Sequence, residues 1–234
     1  MRTTRVSRSN SSKNNAGPRV ATPTPTPPDV LLFIATGCAI CPIVHKLLAQ
    51  LKAESKIGQF DVVNISQHPE LATQQGVRSV PWFRIGELEF TGLHSAAELA
   101  YWVSHAKSDA GIRKYLSAEL EAGHLPAIEQ LVRRHPAWLQ IGLSIIADME
   151  APIQARIGFG AIFEALQGDP LLLGLLPELS ALTRHADQRV RGDACYYLGL
   201  SGVAAARPAL SNCLHDSDPE VQEIAREALQ SIPD

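Results

Sequence analysis

Two cysteines separated by two residues, in Cys38-Ala-Ile-Cys41-Pro42, are the part of this 234-residue sequence best equipped for covalent chemistry. A Thr36-Gly37 break precedes them, and Ile43, Val44, Leu47, Leu48 and Leu51 follow at helical spacing, which puts the pair at a helix start. There both sulfurs lie within disulfide reach, and the free N–H groups and helix dipole favour a thiolate at Cys38. A thiolate is the attacking species in thiol–disulfide exchange. Cys41, one turn inside and more shielded, suits the resolving role. Zinc is an alternative use of the spacing, but it needs a second Cys or His pair and none follows in this module, so no metal is expected. Two buried structural thiols are the other alternative.

The elements that must position this pair are legible around it. Residues 30–35 are a short apolar run of strand formers, and residues 59–65 form a second strand. A short helix follows from Pro69 to Gln75. Residues 76–85 lead through Val80-Pro81-Trp82 into a third strand, Gly86 turns, and residues 87–91 return as a fourth. Ser95 with Glu98 three residues later makes a capping box for a last helix, whose Leu99, Trp102 and Val103 share one face. The order is β-α-β-α-β-β-α over residues 30–107.

That segment resembles the thioredoxin fold. In length it is closer to glutaredoxins and to the N-terminal domain of bacterial alkyl hydroperoxide reductase flavoproteins. The strand at 31–35, Cys38-Ala-Ile-Cys41-Pro42 and Ser79-Val80-Pro81 carry the likeness. The resemblance implies a cis bond before Pro81, a proline facing the cysteines, and a Val80 backbone that pairs with a bound substrate peptide. From the sequence alone the bond could be either isomer. Trp82 is a candidate for the border of that groove, against its alternative as a core strand aromatic. The chain departs from thioredoxins at Gly37, where they usually have Trp, and at Leu32, where they keep a buried acid. The apolar pair Ala39-Ile40 contributes no charge, so the direction of electron flow is undetermined. His45 is expected to be a solvated helix residue.

Charge is unevenly spread. Residues 1–29 hold five basic residues and one acid (+4), residues 30–107 six of each (0), and residues 108–234 ten basic and seventeen acidic (-7). An acidic body argues against phosphate-backbone binding as the main activity. The basic tail lacks aromatics for stacking, so nucleic acid is not an expected partner. Residues 1–29 are rich in Ser, Thr, Asn and Pro and end in a Thr-Pro run, a disordered, polyproline-like spacer. An Arg- and Ser-rich composition also suits a transit segment, though no amphipathic period supports it. The tail lacks the apolar stretch of a secretory signal, and no apolar run approaches the ~20 residues of a membrane helix. A reducing cytoplasm is the expected compartment, and membrane contact is not expected.

Residues 108–234 are helical by period, with helices expected at 109–122, 125–134 and 136–149. Their last part repeats with an offset of 31. His185-Ala-Asp187 maps to Asp216-Ser-Asp218, Pro177 to Pro208, Leu179 to Leu210, Val190 to Val221, Ala194 to Ala225 and Leu198 to Leu229. An earlier unit is expected from Pro152, with Ile153, Ile157, Ala161 and Leu166 as its buried stripe. These units, clearest over 152–234, resemble HEAT-like repeats of the short bacterial type seen in phycobilin lyases, without implying that activity. Cys195 and Cys213 fall at apolar positions and are expected in the core.

The fold expected is an α/β thioredoxin-like domain followed by an all-α HEAT-like domain. The function expected is thiol–disulfide oxidoreduction on protein disulfides through Cys38 and Cys41, beside a groove of Val80, Pro81 and Trp82. The repeat would recruit a protein partner, and an unidentified electron donor or acceptor would recharge the pair. No organic cofactor is expected. The rival is a non-catalytic scaffold or assembly chaperone whose cysteines are structural or redox-sensing.

Overall fold

A computed structural model describes residues 26–233. The tail expected over 1–29 therefore lies outside the described residues, apart from its last four. Those four are held: Lys107 Nζ donates to Thr26 O and Oγ1 (3.0 and 3.2 Å) and Pro27 O (3.3 Å), and Pro28 is buried. The body thus begins slightly before the expected strand.

Four strands form one mixed sheet in the order β2-β1-β3-β4. Strand β1 (Val30–Ile34) runs parallel to β2 (Phe60–Asn64) and antiparallel to β3 (Trp82–Ile85), which pairs antiparallel with β4 (Leu88–Thr91). The central strand is flanked on both sides, so its near-continuous apolar run is what such a position requires. Leu32 and Phe33 are accordingly 0% and 1% exposed. Helix α1 (Cys41–Ala53) covers the sheet with Val44, Leu48 and Leu51. Ile43, expected on that stripe, is instead 48% exposed, and Leu47 is half-buried. Helix α2 (Pro69–Gln74) is short, and α3 (Ala96–His105) begins with the expected capping box, Ser95 Oγ accepting from Glu98 N while Glu98 accepts from Ser95 N.

From there the chain is helical: α4 (Asp109–Glu121), α5 (Leu125–Arg134), α6 (Trp138–Ile146), α7 (Ile153–Ala165), α8 (Pro170–Leu173), α9 (Leu176–Leu182), α10 (Gln188–Leu200), α11 (Arg207–Cys213) and α12 (Pro219–Ser231). The repeat holds at the level of the backbone. Both bounds of α9 and α10 recur 31 residues later in α11 and α12. Asp187 and Asp218 cap α10 and α12 alike, each accepting the N–H two residues on, and Asp218 also accepts the Val221 N–H. Helices α10 and α12 approach so closely that a Cβ on Gly199 would stand 2.8 Å from Ala228 Cβ.

The stripe expected on α7 is corrected. Leu166 is fully buried and Ala161 half-buried as expected, but Ile153 and Ile157 are 54% and 65% exposed, and Ala155, Phe159, Ile162 and Phe163 are buried in their stead. The bulkier phenylalanines set the rotation. The Phe159 ring fills the space a Cβ would need on Gly142 of α6, and Leu120 of α4 lies over Gly158.

The sheet joins the helices through one buried contact region. The Tyr115 hydroxyl donates to Glu89 O (2.8 Å) and accepts from Glu89 N (3.2 Å), so a helix side chain satisfies the outer edge of β4. Its ring meets Phe90 edge-on at 5.4 Å, and burial raises its pKa above the ordinary phenol value. Arg134 pairs with Glu89 at 2.7 Å across the same seam. Tyr115→Phe would strand a backbone donor and acceptor, so it should lower unfolding stability by about 1–3 kcal/mol. Chemical denaturation would measure this, and an unchanged midpoint would refute the edge-closing role.

Candidate active site

Residues 35–41 turn from the buried strand β1 into α1 and place the two cysteines. Gly37 adopts φ +82°, a conformation side chains rarely accept, although nothing lies within 4 Å of where its Cβ would be. The conformation, rather than space, therefore calls for glycine directly before Cys38. The turn is braced from β2: Asn64 Nδ2 donates to Thr36 Oγ1 (3.2 Å) and Thr36 N donates to Ser66 Oγ (3.1 Å).

Cys38 and Cys41 form a disulfide, their Cα atoms 5.5 Å apart. The Cys41 N–H, the first of α1, points at Cys38 Sγ at 3.2 Å. Helix α1 has no side-chain cap at its N-terminus, so the sulfur takes the place a capping oxygen would fill. In the reduced protein the same N–H and the helix dipole stabilise negative charge on Cys38. Cys38 is half-buried while Cys41 is 3% exposed, so one sulfur opens to solvent and the other sits behind it.

A second wall stands opposite. The Val80–Pro81 bond is cis, and Val80 O lies 4.0 Å from Cys38 Sγ. Pro81 O accepts the Gly92 N–H at 2.9 Å, which ties the loop after β4 to the same end of the sheet. Leu93, next in that loop, is 56% exposed. It was not singled out in the sequence, and an exposed leucine beside a turn glycine was the available signal. Trp82 is 6% exposed, its ring edge-on to Phe33 of β1 at 5.4 Å. His45 is exposed on α1, its ring 5.8 Å from Phe60.

Residues 29–104 match the thioredoxin domain family. Residues 165–234 match HEAT repeats. The chain is thus a thioredoxin-like segment joined to C-terminal HEAT repeats. No curated protein matches it. Within the thioredoxin-like segment Leu32 is fully buried, so an apolar side chain holds the position where thioredoxins keep an acid. Among the described residues, no helix is long and apolar enough to cross a membrane. HEAT repeats are generally protein-interaction modules, and the thioredoxin-like segment with its Cys38–Cys41 disulfide supports a redox role.

After reduction, a thiol-alkylating reagent at limiting dose should label Cys38 ahead of Cys41. Peptide mapping of a time course would follow it, and equal or reversed rates would contradict the asymmetry of the site.

Proposed function

We propose that the protein is a thiol–disulfide oxidoreductase acting on protein disulfides, with its active pair in residues 30–107 and partner recruitment in residues 108–234. One observation carries this reading: the Cys38–Cys41 disulfide at the uncapped start of α1, facing Val80 O across 4.0 Å. In the reducing direction the Cys38 thiolate attacks one sulfur of the substrate disulfide. A mixed disulfide forms and the first substrate thiolate leaves. Cys41 then loses its proton and attacks Cys38 Sγ. The second substrate thiolate departs and is protonated, and the protein keeps the Cys38–Cys41 disulfide until an electron donor reduces it. No organic cofactor enters the cycle.

Val80 and Pro81 shape the substrate side of this cycle. The Val80 carbonyl is positioned to meet the backbone of an extended segment, and Trp82 follows them as the first residue of β3. With Leu93 and Ile43 exposed at the same end, the surface around Cys38 suits an apolar stretch of unfolded or flexible chain. The reading places the protein in a reducing, cytoplasmic setting.

A scaffold is the second reading, and one observation favours it. Exposed Ile153 and Ile157 of α7 line a shallow cleft of about 320 Å³ together with Glu164, Asp193 and Tyr197, and Tyr196 of α10 is exposed with its hydroxyl on Glu164. Partner capture unchanged by replacing both Cys38 and Cys41 would favour that role.

Cys38→Ser should reduce turnover of a disulfide substrate to the uncatalysed background, while Cys41→Ser should accumulate a stable mixed disulfide. Both are read by a reductase assay and intact mass. Full turnover by Cys38→Ser would overturn the assignment.

A further inference from the structure

The redox chemistry leaves the outer face of α7 unused. Ile153, Ile157, Gly160, Ala161 and Glu164 follow one another at helical intervals of three and four, so they share that face. All five line the cleft between α7 and α10, and the two isoleucines are open to water. The opposite face of the same helix is fully packed, with Phe159 and Phe163 buried. An apolar stripe left outside a packed helix is surface for another body to cover.

Charge says what that body is. Arg156 stands four residues before Gly160 and Glu164 four residues after it, and both line the cleft. Among the described residues neither is ion-paired within 4 Å. The Arg156 Nε is buried without a hydrogen-bond partner, and Asp193 of α10 is the acid that feels its charge. Glu164 is exposed and accepts the Tyr196 hydroxyl through one oxygen, at 3.3 Å. Gly160, midway between the two charges, has no side chain to hold a second helix away. A partner of one charge sign would match one side of Gly160 and be repelled on the other. A second α7, turned end for end about an axis near Gly160, brings its Glu164 to Arg156 and its Arg156 to Glu164. Each Ile157 then lies beside the small Ala161 of the other copy.

We propose that the outer face of α7 is a two-fold interface, at which two copies of this chain pair antiparallel with Arg156 of each on Glu164 of the other. The same surface patch serves both copies, so the contact closes at two and does not propagate into a filament. Ile153 and Ile157 lose their exposure to water, and that burial supplies the main driving force. Tyr196, held on Glu164, adds an apolar rim from α10. The cleft that favours a scaffold is then filled by the chain itself. This inference goes beyond the proposed activity and does not rest on it.

Sedimentation equilibrium of the full chain over a concentration series tests this. The mass should rise from one chain to two by about 100 μM and stop there. Ile157→Glu changes an exposed position, so it should keep the wild-type circular dichroism and stay monomeric throughout. Glu164→Arg sets like charges together and should raise the dissociation constant more than about tenfold. Mixing Glu164→Arg with Arg156→Glu should restore a one-to-one heterodimer in native mass spectra, because each variant offers the charge the other lacks. A wild-type chain that is still monomeric at about 100 μM overturns the proposal. So does a dimer that Ile157→Glu and Glu164→Arg both leave intact, or a mixture of the two folded charge variants that stays monomeric.

Discussion

A backbone N–H aimed at a sulfur is the interaction on which the rest of this molecule depends. The first N–H of α1 reaches Cys38 Sγ at 3.2 Å, where most helices would place a capping side chain. Holding it there requires a rigid strand before the turn, a residue that accepts φ +82° in the turn, and a helix whose inner face is anchored. Buried β1, Gly37 and the Val44–Leu48–Leu51 face supply these in order. The opposite wall is independent in sequence but not in space, since Val80-Pro81 enters β3 beside β1. The sheet brings the two walls together, and the cysteines alone would not make a site.

The helical part is connected to that sheet by a small number of specific contacts. Tyr115 satisfies both backbone groups of Glu89, so the edge strand is closed by a residue from the repeat side rather than by another strand. The Phe90, Trp102 and Tyr115 rings continue the sheet core into the first helices. A partner held by the repeats and a disulfide presented to Cys38 would therefore be handled by one continuous body.

Local signals in the sequence proved reliable where they rest on backbone demands. Ser95-Ala-Ala-Glu98 is a complete capping box, Gly37 marks a turn of positive φ, and the offset of 31 recurs to the residue in helix bounds. Signals that depend on which side of a helix finds a neighbour were less legible. On α7 the aliphatic stripe Ile153–Ile157 faces outward because Phe159 fits against Gly142, and an apolar period cannot reveal that complementarity. Ile43 is exposed for a related reason: apolar residues at a helix start serve a surface as well as a core. The Tyr115–Glu89 link and the cleft between α7 and α10 join residues far apart in sequence, and no local pattern encodes them. Trp82 stood between groove and core, and its ring packs edge-on against Phe33 of β1.

Equilibrating the protein across glutathione redox buffers, with alkylation and mass to count Cys38 and Cys41 thiols, tests the central claim most directly. The account predicts a single reversible two-electron transition for this pair, with a midpoint between about -270 and -120 mV, the span of dithiol oxidoreductases. A pair that stays reduced at every poise would contradict it, as would a disulfide that persists below about -300 mV, where structural disulfides lie.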